Sequence, residues 1–172
     1  MLAACFQLNA NAPDPVDIKL ESRIKGKQIN LNYLKPTAKS LNQAVLFIHG
    51  ASFPSALASG FKIEGISWMD DLANAGYTVF ALDFLGYGKS DRYDYMSGNI
   101  DEDVSKGTGR EVALDIDIAV DYIIGLPDFE KVHLIGHSWG ATVSGYYASL
   151  HPEKVDRLVL FAPFIERAGP TD

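Results

Sequence analysis

Three residues at alternate positions, Gly136, Ser138 and Gly140, carry the strongest chemical signal in this 172-residue sequence. A serine hydroxyl can attack an acyl carbonyl, although it is a weak nucleophile until a neighbouring base removes its proton. Ordinary glycine and serine frequencies produce Gly-x-Ser-x-Gly by chance in about 5% of chains of this length. The same serine would also suit a simple helix N-cap. The motif therefore indicates a nucleophile only if its surroundings expose the hydroxyl.

The base for such a serine is most often a histidine, and the sequence contains four, His49, His133, His137 and His151. His133 lies inside an apolar run, which is typical of a core residue. His137 adjoins Ser138 on a turn where neighbouring side chains point apart. His151 would lie at the far end of a helix, about 18 Å from its start. None of these three is a credible general base, and His49 belongs to a loop considered below.

Two other kinds of site are excluded by spacing. Residues 86–90, GYGKS, are similar to the end of a phosphate-binding P-loop, but that motif needs a glycine where this sequence has Asp83. The residues that follow also lack the pattern of the helix that a P-loop begins. No paired histidine or cysteine ligands occur at metal-binding spacing. We therefore expect neither a bound metal nor a cofactor.

Apolar runs predict the strands that would position Ser138. Residues 28–34 alternate polar and apolar side chains, as in a half-exposed antiparallel strand. Continuous apolar runs are typical of strands buried on both faces, and they span residues 44–50, 77–83, 131–138 and 156–163. Four buried strands imply a parallel sheet.

Three helical segments alternate with these strands. Residues 67–76 begin with Ser67 and Asp70 at capping-box spacing. The apolar face of this segment would consist of Trp68, Leu72 and Ala75. Residues 110–124 show both helical and alternating periodicity, but their length and three aspartates favour a helix. With a third helix at residues 139–152, the pattern predicts an α/β fold, a mostly parallel sheet with helices on both faces.

Ser138 falls where a buried strand ends and a helix begins, which is the position of a nucleophile elbow. Two further glycine-containing loops follow the first two buried strands, HGAS at residues 49–52 and DFLGYGKSD at residues 83–91. With GHSWG at residues 136–140, and in this order, the chain resembles the α/β-hydrolase family from about residue 28 onward. In that family the loop at residues 83–91 is structural and shapes the turn beside the active site.

The resemblance also implies roles for individual residues. Ser138 would attack the carbonyl of a small-molecule acyl substrate, either a carboxylic ester, a thioester or an amide. Two backbone N–H groups would hold the oxyanion. One would come from Trp139 and the other from Ala51, with Ser52 as the neighbouring candidate. The histidine of the family's HG motif, here His49, would be structural.

The family's order along the chain is nucleophile, then acid, then histidine, with a lid before the last two. No credible histidine follows Ser138, and Glu166 is only a displaced candidate for the acid. We therefore expect an incomplete α/β-hydrolase fold, truncated before the lid, with the acid and base beyond the chain end. Its N-terminal portion would occupy residues 17–172, after a flexible tail at 1–16. An apolar sheet edge left open would favour self-association or association with a missing C-terminal part.

Composition excludes two classes of partner. The net charge of −7 and the isoelectric point near 5.0 argue against a nucleic-acid surface. No apolar stretch approaches the roughly 18 residues of a membrane span.

Residues 2–5, LAAC, have the form of a bacterial lipoprotein cleavage site, but the basic and apolar segments of a signal are missing before Cys5. The location is therefore left open between the cytoplasm and, if Cys5 is lipidated, a membrane-anchored periplasmic protein.

Two alternatives to an ester hydrolase stay open. The first is a cofactor-free haloperoxidase or a C–C bond hydrolase, since both also use a serine nucleophile. Epoxide- and haloalkane-type hydrolysis is not among the open alternatives, because in this fold it uses a carboxylate nucleophile and position 138 is a serine. A catalytically inactive remnant or a binding module would keep the fold without the chemistry.

Overall fold

The computed structural model of the chain describes residues 13–98 and 106–164. The strands of these residues are β1 Val16–Glu21, β2 Gln28–Leu34, β3 Ala44–Ile48, β4 Thr78–Asp83, β5 Val132–His137 and β6 Val155–Phe161. The α-helices are α1 Trp68–Asn74, α2 Gly109–Ile124 and α3 Trp139–Leu150. Two short 3-10 helices span Ser55–Leu57 and Asp94–Ser97.

The described strands form one sheet in the order β1-β2-β4-β3-β5-β6. The β1–β2 and β2–β4 pairs are antiparallel, whereas β3–β4, β3–β5 and β5–β6 are parallel. Ile48 near the end of β3 is aligned with Leu82 in β4 and with Gly136 in β5. The prediction of a mostly parallel α/β sheet is confirmed. Because β3, β4 and β5 end at one edge, the three loops that follow them meet there.

Side chains along β3 alternate between two separate cores. One core contains Leu46 and Ile48 together with residues of α2 and α3. The other contains Val45 and Phe47 together with residues of α1. Successive side chains of a strand point to opposite faces of the sheet. Helices therefore cover both faces, as the sequence predicts.

Capping boxes begin both α1 and α2. The Asp70 N–H donates to the Ser67 hydroxyl, while the Asp70 carboxylate accepts from the Ser67 N–H. Thr108 and Glu111 form the same reciprocal pair at the start of α2. Since α2 continues for 16 residues, the helical interpretation of residues 110–124 is confirmed.

The apolar face predicted for residues 67–76 is correct only for Leu72, which is partly buried and packs against the core on this side of the sheet. α1 buries Met69 and Ala73 against the sheet, whereas Trp68 is 49% exposed and Ala75 is exposed as well. The pair that packs is spaced i, i+4, which lies on one face of a helix. The Trp68 side chain lies instead at the carboxyl ends of the strands, where it contributes to the cavity described below.

β1 is a strand that the sequence pattern does not predict. Its six residues alternate charged and apolar side chains, and none is fully buried. It pairs with β2 alone among the described strands, at one edge of the sheet. β1 begins at Val16, one residue before the predicted domain start at 17. Residues 1–12, with Cys5, lie outside the described residues.

β6 is a second correction, because the sequence predicts it to be buried on both faces. It lies at the other edge of the sheet, paired only with β5 among the described strands. Four of its five apolar side chains are 38–51% exposed, namely Leu158, Val159, Leu160 and Phe161. An apolar run indicates that a strand needs cover on both faces, and the described residues do not supply that cover. The predicted apolar edge is present, whereas the predicted association stays a prediction.

Candidate active site

Ser138 connects β5 to α3 through a strained backbone. Its φ of 54° and ψ of −120° lie far from the helical and strand regions, and a positive φ is uncommon for a residue other than glycine. The Ser138 N–H donates to the Phe161 carbonyl at 2.9 Å, which ties the turn to β6. The side chain makes no capping hydrogen bond to α3. The simple N-cap interpretation therefore does not describe this serine.

Both glycines of the motif are required by close packing. A Cβ on Gly140 would lie 2.3 Å from the Ile48 carbonyl oxygen, and one on Gly136 would lie 2.6 Å from the Ala141 Cα. Contacts below 3.0 Å are not tolerated without movement of the backbone. Gly50, in the loop after β3, is also close, since a Cβ there would lie 3.1 Å from the Ser138 Cβ. The tight turn is thus compatible with glycine and with little else.

A cavity of about 270 Å³ opens beside Ser138 at the carboxyl ends of β3 and β5. Ala51 and Ser52, both predicted candidates for the oxyanion site, line it together with Ser138. The Trp139 side chain lies elsewhere, in an open groove beside Gly109. Its N–H belongs to the first helical position of α3, where a backbone donor has no intrahelical acceptor.

The walls of the cavity are apolar and largely aromatic. Trp68 packs between Phe47, at a ring-centroid distance of 6.0 Å, and Phe161, at 5.8 Å. Leu57 and Phe53 complete the walls and are more than half exposed. The sequence pattern does not identify Trp68 or Phe161 as wall residues. Their only sequence signal is a large apolar side chain next to a strand or helix end.

His49 is buried, and both ring nitrogens are engaged. The Phe84 N–H donates to Nε2 at 3.2 Å, so Nε2 must be unprotonated. The proton of the neutral ring therefore lies on Nδ1, which donates to the Gly50 carbonyl at 2.6 Å. Burial lowers the pKa of His49 and favours this neutral form. His49 connects two loops and is not free to act as a base.

The remaining histidines do not hydrogen-bond to the Ser138 hydroxyl among the described residues. His133 lies near the start of β5, beside Gln43 at 3.4 Å; its Nδ1 is 3.3 Å from an Asp156 carboxylate oxygen but is not aligned for a hydrogen bond. His151 ends α3 and contacts Tyr147. His137 lines the cavity, with its ring stacked on Phe161 at 5.4 Å. Glu166, the displaced candidate for the acid, lies outside the described residues.

Asp83 is a buried carboxylate that joins the loops after β3 and β4. It accepts hydrogen bonds from the Ser55 N–H at 2.8 Å, the Ser55 hydroxyl at 2.7 Å and the Lys89 N–H at 3.1 Å. Asn32 in β2 donates to the same Ser55 hydroxyl. A Cβ on Gly88, whose φ is +49°, would lie 2.2 Å from the Asp83 carboxylate. The glycine-rich loop thus shapes the turn beside the cavity, which is the structural role that the resemblance implies.

The described residues contain neither a metal-binding cluster nor a membrane-spanning helix. No group of three or more histidine, cysteine, aspartate or glutamate side chains could hold a metal ion there. Within the same residues, no helix is both long and apolar enough to cross a membrane.

Comparison with known proteins gives a family and a range of relatives. The family model for the alpha/beta hydrolase fold matches residues 43–172. Epoxide hydrolase B of Mycobacterium tuberculosis is 32% identical over 118 residues, which are 64% of this chain and 29% of the relative. The 2-hydroxy-6-oxononadienedioate/2-hydroxy-6-oxononatrienedioate hydrolase of Escherichia coli is 29% identical over 119 residues, 69% of this chain and 35% of the relative. The chain thus spans about a third of the length of these relatives.

Among solved structures, the thioesterase domain from the curacin biosynthetic pathway aligns with a TM-score of 0.67. The two sequences are 24% identical, and the alignment covers 92% of this chain and 48% of the thioesterase domain. Such a likeness shows the fold alone. The family match, which covers most of the sequence and includes all three loops around Ser138, identifies this chain as a member of the α/β-hydrolase fold family.

Proposed function

We propose that this chain carries the nucleophilic half of a serine hydrolase that acts on carboxylic esters, or on the related thioesters or amides. The observation that carries this proposal is the geometry of Ser138. Its strained turn leaves the hydroxyl without a capping partner and directs the residue into a cavity at the carboxyl edge of the sheet. Ligands of open α/β sheets bind at this edge.

In the proposed reaction, the Ser138 Oγ attacks the acyl carbonyl and the carbonyl oxygen becomes an oxyanion. The Ala51 and Trp139 N–H groups hold that oxyanion by hydrogen bonds. The location of Ala51 on the cavity wall and of Trp139 at the start of α3 supports this assignment. The positive end of the α3 dipole favours negative charge at the same position.

The base and the acid lie outside the described residues in this proposal. The base removes the hydroxyl proton and returns it to the departing alcohol, and water then releases the acyl group by the same steps. The engagement of His49 and the remote positions of His133 and His151 support a base from elsewhere. The chain spans about a third of the length of these relatives, which supports the same assignment.

The cavity favours an uncharged, apolar acyl group. A cavity of about 150 Å³ accommodates benzene, so one of about 270 Å³ has room for roughly six to ten carbon atoms. Trp68, Phe161 and Leu57 are side chains that such a group would contact. Several of the relatives bear the name of an epoxide hydrolase, but a serine at position 138 favours attack on a carbonyl.

The proposal is tested by ester hydrolysis with Ser138→Ala. We expect the polypeptide encoded by the whole gene, called the extended protein, to hydrolyse p-nitrophenyl hexanoate. The substitution should lower kcat by at least about a thousandfold, because the nucleophile is lost. Ser149→Ala is the matched control, since that hydroxyl lies at the far end of α3 and donates to Tyr146.

Equal rates for Ser138→Ala and the unsubstituted protein would show that the nucleophile assignment is wrong. If the extended protein binds the ester but does not hydrolyse it, the inactive binding module is the correct alternative.

A further inference from the structure

We propose that Tyr87 and His49 are positioning residues that turn two successive backbone N–H groups, those of Ala51 and Ser52, towards the nucleophile. Ser52 then supplies an additional oxyanion donor, and Tyr87 determines its orientation. The catalytic meaning of this arrangement rests on the proposed function, whereas the arrangement itself can be measured without turnover.

The first peptide plane is held by His49. Its Nδ1–H donates to the Gly50 carbonyl at 2.6 Å, and the Phe84 N–H holds the opposite ring nitrogen at 3.2 Å. The described peptide bonds are all trans. In a planar trans peptide the N–H points away from the carbonyl of the same plane. Fixing the Gly50 carbonyl on the His49 side therefore directs the Ala51 N–H to the opposite side.

The second peptide plane is held by Tyr87. Its hydroxyl donates to the Ala51 carbonyl at 2.7 Å, and the same planarity directs the Ser52 N–H away from Tyr87. The Tyr87 and His49 rings pack against each other with centroids 4.9 Å apart. The two carbonyls are thus held by one pair of neighbouring side chains, from the loop after β4 and the end of β3.

Tyr87 lies outside the cavity, so the Ser52 N–H, which points away from Tyr87, leaves the clamp on the cavity side. Gly50, Ala51 and Ser52 line the cavity together with Ser138 and His49, whereas Tyr87 does not. Successive backbone N–H groups that point into one concavity form an anion-binding nest. Donors that are fixed before the reaction stabilise a developing oxyanion without reorganisation.

The clamp is needed because residues 51–53 have no regular secondary structure and are exposed. Exposed loop backbone is ordinarily mobile, and fixing each residue opposes a substantial conformational entropy. Side-chain bonds from His49 and Tyr87 take the place of a helix or sheet ladder here. Removal of the Tyr87 hydroxyl should release the Ser52 peptide and leave the Ala51 peptide held.

The test uses Tyr87→Phe, which removes only the hydroxyl, and records backbone ¹⁵N relaxation and residual dipolar couplings of the whole chain. We expect the order parameter of the Ser52 N–H to fall from about 0.85 to below about 0.6, and its couplings to change. The Ala51 N–H should keep both. Tyr146→Phe is the matched control, because Tyr146 is an exposed tyrosine on α3 outside the cavity. Unchanged Ser52 data in Tyr87→Phe would overturn the proposal.

Kinetics on the extended protein test the catalytic role. Tyr87→Phe should lower kcat for an ester by about tenfold to a hundredfold, since loss of a complete oxyanion donor lowers it by about a hundredfold to a thousandfold. KM should change by less than about twofold, because the Ser52 N–H contributes less to binding of the substrate carbonyl than to binding of the oxyanion. A released Ser52 N–H with an unchanged kcat would overturn the donor role. If Tyr87→Phe releases the N–H while the unsubstituted protein hydrolyses no ester, the clamp stands and the proposed function fails.

Discussion

At the scale of single residues, Ser138 combines a strained backbone with a side chain that α3 does not use. The turn is held by the hydrogen bond from its N–H to Phe161 and by the absence of side chains at Gly136 and Gly140. Strain of this kind, of the order of 1–3 kcal/mol, persists only where the surrounding structure imposes it. Two adjacent strands and a helix impose it here.

His49 makes the loops sensitive to pH. Its pKa is lowered by burial from an ordinary value of 6.5, so below 6.5 the unfolded chain binds this proton more readily than the folded chain. The contribution of the neutral His49 ring to the free energy of unfolding is therefore fully present above pH 6.5. It declines as the pH falls towards the lower pKa of His49 in the folded chain, by at most about 1.4 kcal/mol per pH unit. Burial lowers the pKa of His133 too, and it contributes with the same sign.

We expect the free energy of unfolding, measured in urea between pH 5 and 8, to decrease on acidification. His49→Gln should reduce that slope, because glutamine carries no titratable proton. A His49→Gln protein with the full slope of the unsubstituted chain would contradict this account.

At the scale of elements, the candidate site is assembled by three loops that follow β3, β4 and β5. The end of β4 and the loop after it hold the loop after β3 through three connections, which join His49 to Phe84, Ala51 to Tyr87 and Ser55 to Asp83. The elbow after β5 lies beside both. The 3-10 helix that begins at Ser55 adds Leu57 to the cavity wall.

The cavity wall can be tested by ligand binding alone. Octanamide, a neutral analogue of an acyl group, should bind more tightly than acetamide and change the fluorescence of Trp68. Leu57→Ala should weaken octanamide binding by about 1 kcal/mol, or roughly fivefold, because apolar contact area is lost. Leu114→Ala is the control, since Leu114 is similarly exposed, at 53% against 56% for Leu57, and lies on α2 away from the cavity. Equal binding of both amides would contradict an apolar acyl site.

At the scale of the whole molecule, the two edges of the sheet differ in chemistry. β1 carries Asp17, Lys19 and Glu21 between its apolar residues, and charged side chains protect an edge strand from pairing with another chain. β6 presents four exposed apolar side chains instead. An edge of that kind favours a partner strand, either from a second copy or from a C-terminal part of the polypeptide.

We expect the chain by itself to self-associate in sedimentation velocity runs at tens to hundreds of micromolar, and Val159→Lys to reduce that association. Val159 is 51% exposed, so the charge should affect pairing at the edge more than folding. Val16→Lys makes the same change on β1, where the side chain is 58% exposed and the edge is already charged. Association that Val16→Lys and Val159→Lys reduce equally would count against β6 as the interface.

The sequence by itself determined the features that depend on near neighbours along the chain. Continuous apolar runs predict β3, β4 and β5, a capping box predicts the start of α1, and two glycines around Ser138 predict a tight turn from strand to helix. These signals are local because a strand's burial, a helix cap and a turn's steric limits each involve only a few adjacent residues. They were sufficient for the fold class and for the position of the candidate nucleophile.

Only the tertiary structure decided which distant residues surround that nucleophile. Trp68 and Phe161 meet across the cavity, and Tyr87 reaches the Ala51 carbonyl from a different loop. The exposure of β6 and the shifted face of α1 also depended on what packs beside them. The sequence pattern around a residue specifies its local conformation and its need for burial. Which distant residue packs against it depends on how the strands are ordered in the sheet. That order brings the loops after β3, β4 and β5 together, although the sequence separates them by up to ninety residues.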